Sequence, residues 1–243
     1  MAPRATQDRA AAGTRLVVAI DGPAASGKSS TAHLVAIRAG LYHVDSGALY
    51  RAATAAELRA QPDVSRWTES DLLTAAGVVG LEVGATGFRP TISGGNIEAE
   101  IRGAGVTRHV SLVAQMPGIR AWVNDQIRAL ARQYEIVVDG RDIGTVVFPD
   151  AALKVFLVAD PWERARRRLS ERFDRQPSEA EIAEETDRLV QRDARDTTQT
   201  VQAKDAILID TTTLTQEEQV SRIVALVDAA RGRAPDRGSG GGW

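Results

Sequence analysis

Five short apolar runs recur along the chain, separated by longer stretches with helical periodicity. The runs are Leu16-Val17-Val18-Ala19-Ile20, Leu41–Val44, Glu135–Asp139, Leu153–Ala159 and Ala206–Asp210. Each is rich in Val, Ile or Leu and is followed by polar or glycine residues, the pattern of a strand buried on both faces of a parallel sheet. Between them the spacing predicts helices. Ser30 to Arg38 follows the first run, Pro117 to Arg132 carries Pro in its first turn, and Asp160-Pro161 opens another helix with a cap residue followed by Pro. Thr215-Gln216-Glu217-Glu218 is a capping box ahead of a last helix whose Val220, Ile223, Val224 and Val227 share one face. Alternation of this kind predicts an α/β fold of three layers, a parallel five-stranded sheet flanked by helices.

Two stretches interrupt the alternation. From Ser46 to Val110 the pattern is mixed, with helices over Ala48–Arg59 and Glu69–Val79. Short β-like pieces follow at Leu81–Val83, Phe88–Ile92 and Ile97–Ala99, around the turn Ser93-Gly94-Gly95-Asn96. Residues 46–110 are therefore expected to form an inserted subdomain. From Pro161 to Gln202 the chain is charged and helical with few large apolar residues. A break at Asp174-Arg175-Gln176-Pro177 precedes a second capping box, Ser178-Glu179-Ala180-Glu181. A helical hairpin so poor in core residues is a candidate lid, 161–202. The core is then assigned to 15–45, 111–160 and 203–230, with 1–14 disordered and the glycine-rich 231–243 a flexible tail.

Composition narrows the class. A chain of 243 residues with 43% hydrophobic content is long enough for one large unit with inserted pieces. A formal net charge of -2 counts against a bulk nucleic-acid or membrane binder. The absence of Cys excludes disulfides and cysteine chemistry. Met1 to Thr14 lacks the apolar stretch of a signal peptide, and no segment approaches the roughly 18 apolar residues of a membrane span. The expectation is a soluble cytoplasmic protein.

The chemistry begins at the loop after the first run, Gly22-Pro23-Ala24-Ala25-Ser26-Gly27-Lys28-Ser29. It fits G-x-x-x-x-G-K-[ST] between a strand and a helix, the context a phosphate-binding P-loop requires. Glycines let successive backbone N–H groups cradle phosphate oxygens, and the helix N-terminus behind adds partial positive charge. With Ser30 at the helix start, these are the candidate ATP-binding residues. Lys28 is expected to reach the β- and γ-phosphates, and the Ser29 hydroxyl to sit on Mg²⁺. The loop indicates a nucleoside triphosphate and leaves the fate of its phosphate open.

Three further stretches bear on that fate: Asp45-Ser46-Gly47-Ala48-Leu49-Tyr50-Arg51, the run Asp139-Gly140-Arg141-Asp142-Ile143-Gly144-Thr145-Val146-Val147-Phe148-Pro149-Asp150-Ala151, and Arg192-Asp193-Ala194-Arg195-Asp196. With Ile20-Asp21-Gly22-Pro23, they closely resemble the bacterial cytidylate (CMP/dCMP) kinases, from about Leu16 to Asp228. That family carries an enlarged nucleoside-monophosphate-binding insertion with a small β-sheet, and a monomer is its expected state. The resemblance implies transfer of the γ-phosphoryl of ATP to CMP or dCMP. It places Arg51 and Arg141 on the acceptor phosphate with Ser46 nearby, and Ser111, Arg120 and Asp142 around the base. Arg102 belongs to the same segment, as a nucleotide-site residue or a surface arginine. Arg192 is implied on phosphate or sugar and Asp196 on a ribose hydroxyl. Lys28, Arg141 and Arg192 are the residues expected to carry catalysis.

Physical chemistry agrees with this reading. A monophosphate acceptor brings one anion against another, so transfer needs positive charge that neutralises both and holds them in line. Arginine suits the clamp because its planar fork grips phosphate through paired hydrogen bonds. The acceptor oxygen is already ionised near neutral pH, so no general base is needed, and His33, His43 and His109 are read as structural or surface residues. Cytosine offers an amine where uracil has a carbonyl, so Asp142 would accept from the one and repel the other, while Arg120 donates to the remaining ring atoms. Arg188, Arg192 and Arg195 fall on one helical face, with Glu184 and Glu185 placed to pair with Arg188. One of Arg164, Arg166, Arg167 and Arg168 is expected at ATP. Other small-acceptor kinases, for UMP, dTMP or a metabolite such as shikimate, and a non-catalytic nucleotide switch remain alternatives. The chain leaves the family pattern after Asp196, where S-T-R is replaced by Thr197-Thr198-Gln199. Lys204, or another lid arginine, is a candidate to supply the charge lost at Gln199.

Overall fold

The computed structural model describes residues 15–173 and 175–233; 1–14 and 234–243, which include the expected disordered terminus and most of the expected tail, lie outside the described residues, as does Asp174 in the break expected at 174–177. In chain order the elements begin β1 (Val17–Asp21), α1 (Lys28–Ala39), β2 (Tyr42–Asp45), α2 (Ser46–Ala60), α3 (Glu69–Ala76), β3 (Val79–Val83), β4 (Phe88–Ile92) and β5 (Gly95–Asn96). They continue with α4 (Glu98–Arg102), α5 (Ala104–Val113), α6 (Pro117–Ala131), β6 (Ile136–Gly140), β7 (Leu153–Val158), α7 (Pro161–Ser170), α8 (Glu179–Asp196), β8 (Ile207–Asp210) and α9 (Gln216–Arg233).

Five strands form one parallel sheet in the order β2-β6-β1-β7-β8. Side chains of β1 alternate between its faces, as the pleat demands. Val18 and Ile20 pack with Val35 and Ala36 of α1 and Val220, Ile223 and Val227 of α9. Val17 and Ala19 pack on the other side with Ile119, Val123 and Ile127 of α6. Both faces are thus covered along β1, β6 and β7, whose strands read as continuous apolar runs, whereas the edge strand β8 departs from that expectation and leaves Ile207 and Leu208 exposed.

Local chemistry sets the element ends. Asp45 caps α2 through its carboxylate, which accepts from the Ala48 N–H at 2.9 Å. Asp160 caps α7, with Pro161 in the first turn. Both predicted capping boxes form: Ser178 with Glu181 before α8, and Thr215 with Glu218 before α9.

Between β2 and β6 lies a small antiparallel sheet, β3-β4-β5, packed with α2 to α5. Its core joins Ala48, Ala52 and Ala56 to Ile92, Ile97, Ile101 and Val106. Two expectations are corrected here. The helix predicted to Val79 stops at Ala76, because Val79 pairs with Ile92 across β3–β4. The β-like piece at Ile97–Ala99 is not a strand: Ile97 precedes α4, where Ile97 and Ile101 turn to one buried side. The apolar period there is helical, and its brevity hid it. Finally, α9 runs through Arg231 to Arg233, past the point where the tail was expected, and Arg231 pairs with Glu135 at 3.2 Å.

Candidate active site

The P-loop leaves β1 hard against β7. Gly22 has φ 150, and a Cβ there would overlap the Leu157 carbonyl oxygen, so only glycine fits. Gly27, at φ 84, then turns the chain into α1. Ala25 also holds a positive φ of 58, a strained conformation for a residue with a Cβ. Lys28 spans the loop, its Nζ donating to the Pro23 carbonyl at 2.6 Å and lying 3.5 Å from Ser26 Oγ. Burial, and then the nearby Arg141 guanidinium, push the Lys28 pKa down to about 7.

The acids beside the loop divide the work. Asp21 ends β1 and accepts from the N–H groups of Ile143 (2.9 Å) and Gly144 (2.8 Å). It thereby pins the turn that follows β6, a single π-helical turn over Ile143–Val147. Burial raises the Asp21 carboxyl to about 6, against the pull of those two N–H groups. Asp139, buried at the end of β6, accepts from His43 Nε2 at 2.7 Å. Burial and then Asp45 raise Asp139, while its bond to His43 works the other way. For His43 burial opposes the charge, and the hydrogen bond and charge of Asp139 outweigh it, so its pKa is raised. Ser29 Oγ stands 3.5 Å from Asp45 Oδ2.

Two cavities meet at this point. The larger, about 1840 Å³, runs over Ala25 to Ser30 towards Arg167 of α7 and the segment Thr212–Gln216 before α9. The smaller, about 270 Å³, is lined by Ser46, Ser111, Arg120, Arg141, Asp142, Arg192 and Asp196. Lys28, Arg51, Arg168 and Asp139 line both.

Within the smaller cavity Arg120 donates through Nη2 to Asp142, and burial raises the Asp142 carboxyl against the pull of that guanidinium. Arg120 Nη1 donates to the Ala114 carbonyl and to Gln199 Oε1, each at 3.2 Å. Arg141 pairs with Asp196 at 2.9 Å, while its Nη1 is buried without a hydrogen-bond partner, as is Arg192 Nε. Ser46 Oγ donates to the Asp139 carbonyl at 2.7 Å. Arg51 is held by the Ile101 carbonyl and Thr107 Oγ1, both at 3.0 Å. Burial and then Arg192 lower the Arg51 pKa; burial and then Arg141 lower that of Arg192. Half-buried cations crowded together, with donors of Arg141 and Arg192 left unpartnered, make a site whose charge suits an anion.

The helical hairpin closes over the loop through Asp193. Its carboxylate accepts from the Ala24 N–H at 3.3 Å and from Arg164 at 2.6 Å, and Arg164 donates to the Ala24 carbonyl at 2.8 Å. Ala24 packs with Ala165, Leu169, Ile182 and Leu189 in a small apolar cluster between hairpin and loop.

The family model described as cytidylate kinase matches residues 18–229. The chain belongs to the cytidylate kinase family. It is 41% identical over 221 residues to a cytidylate kinase of Geobacillus thermodenitrificans, across 88% of this chain and 97% of that one. It is 37% identical over 219 residues to that of Acholeplasma laidlawii, across 88% and 96%. A solved shikimate kinase from Bacteroides thetaiotaomicron superposes with a TM-score of 0.45 at 15% identity, covering 88% of this chain and 98% of that one, too distant to bear on the acceptor.

Most residues expected from the cytidylate kinase pattern converge. Ser46, Arg51, Ser111, Arg120, Arg141, Asp142, Arg192 and Asp196 share the smaller cavity. Arg102 does not: it lines the larger one, pairing with Glu98 at 3.0 Å and Asp45 at 3.4 Å. Of the P-loop residues, Ala25 to Ser30 face the larger cavity, whereas Gly22, Pro23 and Ala24 do not. Gly22 backs onto Leu157, the Pro23 carbonyl takes Lys28, and Ala24 turns to the hairpin. The four α7 arginines separate. Arg164 goes to Asp193, Arg166 to Glu163, Arg167 to the Thr211 and Thr212 carbonyls, and Arg168 to Glu185. Arg188 pairs with the exposed Glu184 and the buried Glu185, as its spacing allowed, and lines the larger cavity. Lys204 is exposed and lines neither cavity.

Sequence reasoning passed over Asp21, Asp139, Asp193 and His43. His33 and His109 stack edge-on against His43 and Trp67, but His43 holds a site carboxylate. It stands two residues before Asp45, on a strand that only folding sets beside that of Asp139.

Proposed function

We propose that the chain transfers the γ-phosphoryl of ATP to CMP or dCMP, giving CDP or dCDP and ADP. One observation carries this reading beyond family membership. A single small cavity joins an Arg120–Asp142 pair suited to the edge of cytosine with orphaned arginine donors suited to a phosphate, and it opens onto the P-loop lysine. ATP occupies the larger cavity, its phosphates along Ala25 to Ser30. The acceptor phosphate takes the free donors of Arg141 and Arg192 together with Arg51. Lys28, at the meeting of the cavities, neutralises charge on the group in flight, and Arg141 and Arg192 share that task. No residue needs to remove a proton, because the acceptor oxygen is ionised.

Mg²⁺ fits the residues present. Among the described residues no three acids or histidines are grouped to hold a metal alone, and Ser29 with Asp45 beside it offers the sparse oxygen set that Mg²⁺ shares with phosphates and water. Ser29 would hold the ion, which would supply charge neutralisation to the triphosphate. Segment 46–110 is the acceptor-binding insertion. Segment 161–202 is the lid, which excludes water through the Asp193 and Arg164 contacts to Ala24. The state we infer is a monomer acting on small molecules, the nucleotides that the two cavities would take. Among the described residues no helix is long and apolar enough to cross a membrane. The test is coupled ADP release with CMP, dCMP, UMP and dTMP at matched concentrations, with and without Mg²⁺. CMP and dCMP should lead; UMP running faster than CMP would overturn the reading.

A further inference from the structure

We propose that Gln199 is an acceptor-selectivity residue, acting by holding Arg120 in register against the base; this rests on the cytidine-acceptor reading above. Arg120 is gripped by acceptors from three separate parts of the chain: Asp142 in the turn after β6, the Ala114 carbonyl after α5, and Gln199 just beyond α8. A guanidinium has donors only, so the carboxamide must present its oxygen to Arg120 and keep its NH₂ for another acceptor. Gln199 is itself fixed. Its N–H and that of Thr200 both donate to the Asp196 carbonyl at 2.9 Å, closing the last turn of the hairpin, and the Asp196 carboxylate is tied to Arg141. The lid exit therefore touches the base-reading pair directly.

The identity of the side chain matters. An arginine at this position would set a second guanidinium beside Arg120, repelling it and competing for Asp142 and Asp196. A neutral amide instead adds an acceptor without adding charge. With three of its five N–H groups so taken, Arg120 keeps Nε–H and one Nη2–H for atoms that accept in cytosine, whereas the ring nitrogen of uracil carries a hydrogen and cannot accept. Loosening Arg120 weakens the grip on cytosine and relaxes the exclusion of uracil together.

The experiment compares wild type, Gln199→Met and Gln199→Glu by kcat/KM for CMP and for UMP, with KM for ATP measured alongside. Phosphate and sugar are common to CMP and UMP, so any effect of charge at position 199 on them cancels in the ratio. Gln199→Met keeps the length and loses the acceptor; the CMP-to-UMP ratio should fall about fivefold, the scale of one hydrogen bond to a charged group shared with two other acceptors. Gln199→Glu keeps the oxygen and should hold the ratio within about twofold of wild type, with KM for ATP unmoved in both variants. A ratio unchanged in Gln199→Met overturns the proposal. So does an equal fall in Gln199→Glu, which would mark a disturbed lid exit rather than a lost acceptor. A wild type that ignores CMP would instead sink the acceptor assignment, and that result is separate.

Discussion

Nucleotide binding should draw a proton into the site above neutral pH. In the free protein Lys28 is buried, and burial followed by Arg141 brings its pKa down to about 7. At pH 8 about nine tenths of the molecules then carry a neutral Lys28. The ATP phosphates place negative charge against both Lys28 and Arg141, which restores the charged form and returns the pKa towards the ordinary lysine range. A group whose pKa rises on binding takes up a proton, and its contribution to affinity fades as pH climbs above the free-state pKa. Uptake at pH 8 should be about 0.9 proton, and affinity should weaken about fivefold from pH 7 to 8 and about fiftyfold from pH 7 to 9. Asp21, raised to about 6, is ionised before this window opens. Titration calorimetry with a non-hydrolysable ATP analogue in buffers of different ionisation heat reads the proton number directly. Lys28→Arg keeps a charge that does not titrate and should remove the effect. A wild-type enthalpy independent of buffer at pH 8 would show Lys28 already charged and refute the argument.

Asp142→Asn can donate to a uracil carbonyl as well as accept from the cytosine amine, and it leaves Arg120 without its charged partner. The CMP-to-UMP ratio of kcat/KM should drop by about 10- to 100-fold, and an unchanged ratio would remove Asp142 from base recognition. Gly22→Ala drives a methyl into the Leu157 carbonyl oxygen, a backbone atom that cannot swing aside. We expect a loss of about 3 kcal/mol, read as a fall of about 6–12 °C in Tm, and a shift under about 2 °C would contradict the close approach. Asp193→Asn still accepts from the Ala24 N–H but leaves Arg164, only 4% exposed, without a countercharge. Because Asp193 itself is 24% exposed, the cost should be discounted to about 1–3 kcal/mol, with KM for ATP raised more than KM for CMP; equal effects on both would disconnect the hairpin from the P-loop.

The strands, the P-loop and the capped helices were legible along the chain because their causes are local. A strand buried on both faces must be apolar throughout, as Val17 to Ile20 are, and a capping box joins residues three apart, as Ser178 and Glu181 are. The resemblance carried Arg51, Arg120, Arg141, Asp142, Arg192 and Asp196 as a set, and folding brings them to one cavity. The short helix at Glu98–Arg102 was misread because one turn is too brief to show its period. What lay beyond reading was every contact between distant segments. Nothing in Asp21 announces that it pins the turn at Ile143 and Gly144, nor in His43 that it holds Asp139. Four arginines within five residues of α7 look alike in sequence, yet little more than one helix turn sends each to a different partner. Gln199 is the sharpest case. In the sequence it is a missing charge, and only the packing of the segment after α8 against Arg120 makes it an acceptor. Local patterns reflect the backbone's own hydrogen bonds and burial, which the chain carries with it, whereas a partner across the fold is set by the sheet order and by how helices cross it.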